Sequence, residues 1–273
     1  MSLNGPLVMG ILNVTPDSFF DGGDSYRNGK PSLDSALRKA EAMLSEGASI
    51  IDVGGESTRP GAAAVSEQEE CDRVLPVVEA LVTKLGAKVS VDTSTPKLMR
   101  SAAQLGAWMI NDVRTLQRPG ALEAATSTGL AICLMHMQGA PQQMQVLPKY
   151  QSVTDEVIGF LQARKRACVD VGVSESKIYL DPGIGFGKND EHNLALIRHL
   201  PELASVGPVL LGVSRKSLFG RLLGRELGQR LSGSLAVALL AAQKGAAILR
   251  VHDVAETCDA LRMWQLIDSK SKE

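Results

Sequence analysis

The chain has 273 residues, 44% of them hydrophobic and only 4% aromatic, with a formal net charge of −1. That length suits one large domain or two small ones; the balanced charge excludes a broad basic surface for nucleic acid or an anionic membrane, and no apolar run is long enough to span a bilayer. The first residues lack a signal-peptide pattern and Cys71, Cys133, Cys168 and Cys258 lack CxxC spacing, so neither a zinc site nor a disulfide framework is expected and the chain reads as soluble, reduced and cytoplasmic.

The first apolar run, residues 7–14, ends in NVTPDSFF: Asn13 is a polar tip on a buried strand, and the loop beyond it carries two phenylalanines. The segment LDSALRKAEAML then places Leu33, Ala36, Leu37, Ala40, Met43 and Leu44 on one helical face. A second run, 49–54, leads into GGESTRPG. Ser66 and Glu69 open the next helix as a capping box, with Val74, Val77, Val78, Leu81, Val82 and Leu85 as its apolar face. After a run at 88–92, Thr95-Pro96 predicts a hydroxyl cap followed by proline at the first helical position. Further runs lie at 108–113, 131–136, 177–181, 208–213 and 248–252. Helical patterns separate them and tend to end at a glycine, the residue suited to the left-handed turn after a helix. The tail DSKSKE reads as a solvated end.

These runs lack two-residue alternation, as strands buried on both faces do. Eight βα units in roughly 250 residues match a (β/α)8 barrel. The expected fold is therefore one α/β domain over residues 1–273, a (β/α)8 TIM barrel; a doubly wound open sheet is the alternative that fits the same pattern.

Chemistry in such barrels sits at the C-terminal ends of the strands. Asp52, Asp92, Asn111, Asp112, Asp181, Lys216, Arg250 and His252 would meet on that rim, where burial is costly unless a ligand or partner answers them. Each also has a plain reading. Asp181-Pro182-Gly183 is a turn signal, Asp253 with Glu256 would be a capping box for the last helix, and Lys216 would be a solvated lysine. The stretch GIGFGK matches neither a phosphate loop nor a dinucleotide fingerprint, because Pro182 stands five before Gly187 and Asn189 follows the lysine. It reads as a mobile active-site loop with Phe186 at its tip.

The segments MGILNVTPDSFFDGG, IDVGGESTRPGA, VSVDT, INDV, LMHMQG, LDPGIGFGK, GVSRKS and RVHDV, in that order, resemble the dihydropteroate synthase family of pterin-binding barrels nearly end to end. Phe20, where serine is common, and the few residues before the first strand are departures; the latter implies a thin closure of the barrel bottom. The resemblance implies that hydroxymethyl-dihydropterin diphosphate reacts with p-aminobenzoate to give dihydropteroate and diphosphate, with Mg²⁺ and commonly in a homodimer. It implies that Asp92, Asn111, Asp181 and Lys216 bind the pterin, that Arg250 stacks on it, and that Asn13 is the metal ligand. Thr58 and Arg59 would stand near p-aminobenzoate and diphosphate, with His252 and Arg250 as further donors. The flat p-aminobenzoate would enter a slot walled by Phe19, Phe186, Pro60 and the stem of Lys216, its carboxylate at Ser217. Asp17 would face the developing cation, completing a catalytic set of Asp92, Asp181, Lys216, Arg250, His252 and Asp17. Sulfonamides, being p-aminobenzoate-shaped, would compete for the slot. Three other functions stand beside this one. A Schiff-base aldolase would need a lowered Lys216 pKa, which Arg215 and nearby carboxylates are expected to prevent. A pterin-binding barrel without catalysis would lack the intact NVTPDSF loop. A methyltransferase of the same barrel group would not carry SRKS and ESTRPG.

Overall fold

The structure, a computed structural model, describes residues 5–15, 26–27, 30–57, 65–139 and 148–269. Eight parallel strands run β1 (Leu7–Asn13), β2 (Ile50–Gly54), β3 (Val89–Asp92), β4 (Met109–Asp112), β5 (Ala131–Met135), β6 (Ile178–Asp181), β7 (Val209–Gly212) and β8 (Ala246–Val251), each beside the next. β1 pairs with β2 through Met9↔Ile50 and with β8 through Leu7↔Ile248. That closes the sheet and removes the open-sheet alternative. Every expected strand is present, its ends within two residues of the expected bounds. Around the barrel lie α1 (Leu33–Ser45), α2 (Glu67–Leu85), α3 (Pro96–Gln104), α4 (Ala121–Thr128), α5 (Val153–Asp170), α6 (Asp190–Arg198), α7 (Leu200–Ala204), α8 (Ser217–Leu223), α9 (Leu231–Gln243) and α10 (Val254–Ser269). A short antiparallel pair, Tyr26–Arg27 with Lys30–Pro31, was not foreseen.

The strands bury both faces. Outward side chains such as Val53, Val91, Ile110 and Leu134 join Ala36, Ala40, Val74, Val78 and Leu98 of the helices in the main core. Inward, Met9, Ile50, Met109, Ala131, Cys133, Leu210 and Ile248 plug the barrel. Below the plug, the rings of Trp108 and Tyr179 meet edge to face at 6.1 Å. Because side chains alternate along a strand, the residue two beyond a plug residue also points inward, nearer the C-terminal rim. Ile50 is followed in this way by Asp52, Met109 by Asn111 and Ile248 by Arg250.

Asp112 has the opposite parity, with Ile110, and its expected place on the rim is corrected. Its carboxylate accepts from the backbone N–H groups of Arg114 and Leu116, both at 2.8 Å, and from the Ser94 hydroxyl, which fastens the turn after β4.

Three caps also differ from expectation. Ser66 does cap α2, accepting from Glu69 N at 3.2 Å, but the Glu69 carboxylate turns to Arg73 one turn on. Pro96 opens α3 as expected, whereas the Thr95 hydroxyl donates to Glu70 Oε2 at 2.5 Å. Glu70 is buried and needs donors, and Thr93 supplies the other at 2.6 Å. Asp253 accepts from Arg215 Nε at 3.0 Å instead of forming a box with Glu256. Ser66→Ala should therefore cost about 1 kcal/mol, and Glu69→Ala roughly 0.5 kcal/mol or less, as for an exposed ion pair; urea unfolding of the two variants reads the difference.

Candidate active site

At the C-terminal mouth, Arg250 at the end of β8 reaches across β1. Its Nε donates to Asp52 Oδ2 at 2.6 Å and a terminal nitrogen donates to Asp92 Oδ2 at 3.0 Å. Asp52 is wholly buried and also accepts from Asn111 Nδ2 at 3.3 Å. One carboxylate thus orients both a guanidinium and an amide. Burial disfavours the Arg250 charge, but Asp52 and Asp92 outweigh it and raise the guanidinium above its ordinary value. Burial raises Asp92, and Arg250 opposes this while Asp52 and Asp112 add to it. The main physical reason is that burial disfavours the charged carboxylate, and the neighbouring acids add to it.

Asp181 ends β6. One of its oxygens accepts from Gly183 N at 2.7 Å, so the Asp-Pro-Gly turn is real as well as site-facing. Burial raises its pKa, with Lys216 the chief opposing influence. Lys216, after β7, donates Nζ to the Ile184 carbonyl and lies 4.7 Å over the Phe186 ring. Burial lowers its pKa to about 8, Asp181 opposing and Arg250 adding to the effect. The expectation of an unshifted lysine is corrected: residue types near Lys216 were visible in the sequence, but its burial was not.

The expected mobile GIGFGK loop is a fastened turn. Phe186 N donates to Gly183 O at 3.0 Å, and Lys188 is buried beneath the turn with Nζ 3.0 Å from Gly183 O, 2.9 Å from Phe186 O and 2.9 Å from His136 Nδ1. Gly183 has φ +67°, and a Cβ there would run into the His136 carbonyl oxygen. Its glycine is therefore required by both backbone angle and space.

His252 is exposed, with Nδ1 3.1 Å from Ser214 Oγ. Ser217 is exposed at the start of α8, its hydroxyl accepting from Arg221 at 2.8 Å. Asn13 is half-buried at the end of β1. A Cβ on Gly54 would stand 3.6 Å from Asn13 Oδ1 and 3.8 Å from Asp92 Oδ2, so the glycine keeps a gap open between them. Asp17, Phe19, Thr58, Arg59 and Pro60 lie outside the described residues.

The chain is similar to known proteins over nearly its whole length. The pterin binding enzyme family matches residues 9–252. The dihydropteroate synthase of Escherichia coli is 53% identical over 264 residues, 96% of this chain and 92% of that protein. The Yersinia pestis dihydropteroate synthase in complex with a sulfonamide drug superposes with a TM-score of 0.92 at 52% identity, over 98% of this chain and 96% of that one. The Xanthomonas albilineans dihydropteroate synthase in complex with 7,8-dihydropteroate gives a TM-score of 0.87 at 44% identity, over 98% and 95%. The chain belongs to the pterin binding enzyme family, among its dihydropteroate synthases.

In this pterin binding enzyme, five of the expected site residues, Asp92, Asn111, Asp181, Lys216 and Arg250, stand at the mouth of one barrel. Phe186 joins them through Lys216. Asp52, expected on the rim without a role, is the partner that orients Arg250 and Asn111; missing from the expected site set were Lys188 with His136 and the pair Arg114–Glu56, whose nitrogens and oxygens lie 3.0 and 3.1 Å apart at the base of the loop after β2. Lys188 carried a signal only as the odd cation of GIGFGK.

The Lys216 shift has two consequences of opposite sign. Its ammonium is present below about pH 8 and lost above it, so kcat/KM should fall on the alkaline side near that pH. Lys216→Arg, whose charge does not titrate there, should abolish that limb of the pH profile. Stability moves the other way: the unfolded chain binds this proton more tightly, so the Lys216 contribution to folding rises from about pH 8 toward 10.5, which urea midpoints across that window would register.

Proposed function

We propose that this chain is a dihydropteroate synthase, a transferase of folate biosynthesis. It joins the methylene carbon of 6-hydroxymethyl-7,8-dihydropterin diphosphate to the amino nitrogen of p-aminobenzoate. The carbon–oxygen bond breaks with its electron pair leaving on diphosphate, a carbon–nitrogen bond forms, and the amine loses a proton. The observation that carries the reading is the convergence of Asp92, Asn111, Asp181, Lys216 and Arg250 at the mouth of a barrel of this family. The pterin edge offers N–H donors, which Asp92 and Asp181 accept, and a carbonyl, which Lys216 and Asn111 meet. Arg250 is bound through its edge, which leaves its flat face free to stack on the ring. Phe186 and the Lys216 stem wall the p-aminobenzoate side, with Phe19 and Pro60 assigned to the same wall. Thr58, Arg59, Ser217 and His252 serve its carboxylate and the diphosphate, and Asp17 faces the pterin methylene. A Schiff-base role for Lys216 has little support, because its Nζ is committed to the Ile184 carbonyl.

Mg²⁺ fits the donor set. Among the described residues no three His, Cys, Asp or Glu side chains gather into a metal cage, and the Asn13 amide oxygen stands beside the gap at Gly54. Such a site suits an ion that keeps most of its shell as water and substrate phosphate. When bound, Mg²⁺ would neutralise charge gathering on the departing diphosphate. The test is diphosphate release with both substrates present. Wild type should release it only with p-aminobenzoate and Mg²⁺, and chelator should abolish the activity. Asn13→Ala should raise KM for pterin diphosphate about tenfold while calorimetric affinity for the diphosphate-free pterin alcohol stays unchanged. Full turnover in excess chelator would remove the metal from this reading.

The bond order follows from charge. The aniline nitrogen is a weak nucleophile, whereas the dihydropterin shares positive charge well. Asp92 and Asp181 stand around the pterin, while Arg250 and His252 face the diphosphate, so the site stabilises both halves of a separated ion pair. Bond breaking therefore precedes bond making, in an SN1-like displacement. With p-aminobenzoate omitted, ¹⁸O placed in the bridging position should scramble into the non-bridging positions of bound diphosphate; scrambling confined to reactions containing p-aminobenzoate would favour direct displacement.

The enzyme is assigned to the cytoplasm as a homodimer. In support, no described helix is long and apolar enough to cross a membrane. Leu222, Leu223, Leu227, Leu240 and Met263 are exposed on α8, α9, α10 and the segment between α8 and α9, an apolar surface that a second copy would cover.

A further inference from the structure

Lys188 and Lys216 lie on opposite sides of one turn. The turn runs from Gly183 to Gly187 and is closed by the Phe186 N to Gly183 O bond of 3.0 Å. From beneath, the Lys188 Nζ is shared by the carbonyl oxygens of Gly183 at 3.0 Å and Phe186 at 2.9 Å, and also lies 3.3 Å from His136 O and 2.9 Å from His136 Nδ1; burial lowers its pKa to about 7. From above, Ile184 O accepts from Lys216 Nζ, and the Phe186 ring lies 4.7 Å below that same nitrogen. Lys188 therefore holds the two carbonyls that flank the one serving Lys216.

The anchor itself is rigid. The His136 backbone N–H donates to Asp181 O at 2.9 Å, and the His136 ring stands edge to face with Phe160 at 5.0 Å. Tyr150 adds a bond from its hydroxyl to Gly187 O at 2.9 Å. Lys188 is 1% exposed, so water does not compete for its donors. A buried lysine amine surrounded by acceptors from two loops ties those loops together more firmly than an apolar side chain of the same size, which would take this donor from the Phe186 and His136 carbonyls.

We propose that Lys188 is a positioning residue for the reaction: by clamping the 183–187 turn from below it fixes the Ile184 carbonyl and the Phe186 ring, and through them the direction of the Lys216 ammonium. This rests on the synthase reading above for the chemistry that Lys216 performs.

A double-mutant cycle in the full chain tests it, with Lys188→Met, Lys216→Met and the pair. Lys188→Met keeps the stem and removes the donors. In the wild-type background it should lower kcat/KM by about ten- to a hundredfold, the range expected when a reacting group is misplaced by an ångström or less. In the Lys216→Met background the same change should cost no more than about twofold, the scatter of independent sites. Lys188→Gln, which restores two N–H donors, should recover part of the loss in the first background and nothing in the second. A merely structural lysine would lower the melting temperature and the active fraction by the same factor in both backgrounds, so multiplicative losses would overturn the proposal. If Lys188→Met does not fold, the same cycle built on Lys188→Gln separates coupled from multiplicative losses. The cycle is also read on calorimetric affinity for 6-hydroxymethyl-7,8-dihydropterin. Coupling seen there, with no diphosphate released by wild type, would reject the synthase reading and keep the clamp.

Discussion

A guanidinium lodged in the mouth of a barrel constrains everything near it. Arg250 spans from β8 over β1 to carboxylates on β2 and β3, and Asp52, its buried partner, also takes the amide of Asn111 on β4. Five neighbouring strands are thus crossed by one charge-assisted network. Such a network is weak evidence for stability, because removing both charges to a well-packed apolar set is often neutral. Removing one partner is different, since it strands an uncompensated buried charge at a cost of about 3–5 kcal/mol. The geometry of the ligand floor is therefore held by mutual necessity: each member is tolerated only while the others stay in place.

The network exists where it does because of strand parity. A closed barrel has no edge to leave unpaired, so its interior must be filled by side chains alone. Met9, Ile50, Met109, Leu210 and Ile248 do this low in the barrel. One pleat higher the same inward direction presents Asp52, Asn111 and Arg250. The plug supplies a dry base, and a dry base strengthens every charge interaction above it. It also explains the proton affinities: burial is the first cause of the shifts at Asp92, Asp181 and Lys216 alike.

The barrel could be read from the sequence because its signals are local. Aliphatic runs such as IIDVG and AICLM and the glycines that close the intervening helices report secondary structure within a few residues. The polar tips were legible for the same reason. What escaped needed distance. Thr95 looked like a cap until Glu70, twenty-five residues earlier in the chain, claimed its hydroxyl. Asp112 looked like a rim residue because a strand apolar on both faces does not reveal which parity is inward. Lys188 and His136, fifty-two residues apart, meet only when the loops after β5 and β6 pack together. Its burial, which no composition records, turned a presumed loop cation into an internal clamp.

The remaining question is why one site gathers so many carboxylates when one of its substrates is a polyanion. Three carboxyl groups, Asp52, Asp92 and Asp181, face two basic groups, Arg250 and Lys216, and burial raises the proton affinity of Asp92 and Asp181. Acceptors of this kind suit the donor-rich edge of a pterin. In the proposed reading the diphosphate meets Arg250 and the exposed His252, whose Nδ1 lies 3.1 Å from Ser214 Oγ. On that reading the acidic and basic groups meet different parts of the substrate. An electrophile lying between them has its pterin half in a field that favours positive charge and its leaving group in one that favours negative charge. In the proposed reading that field lies along the bond to be broken, and its buried, mutually bonded part around the pterin need not reorganise when the bond breaks.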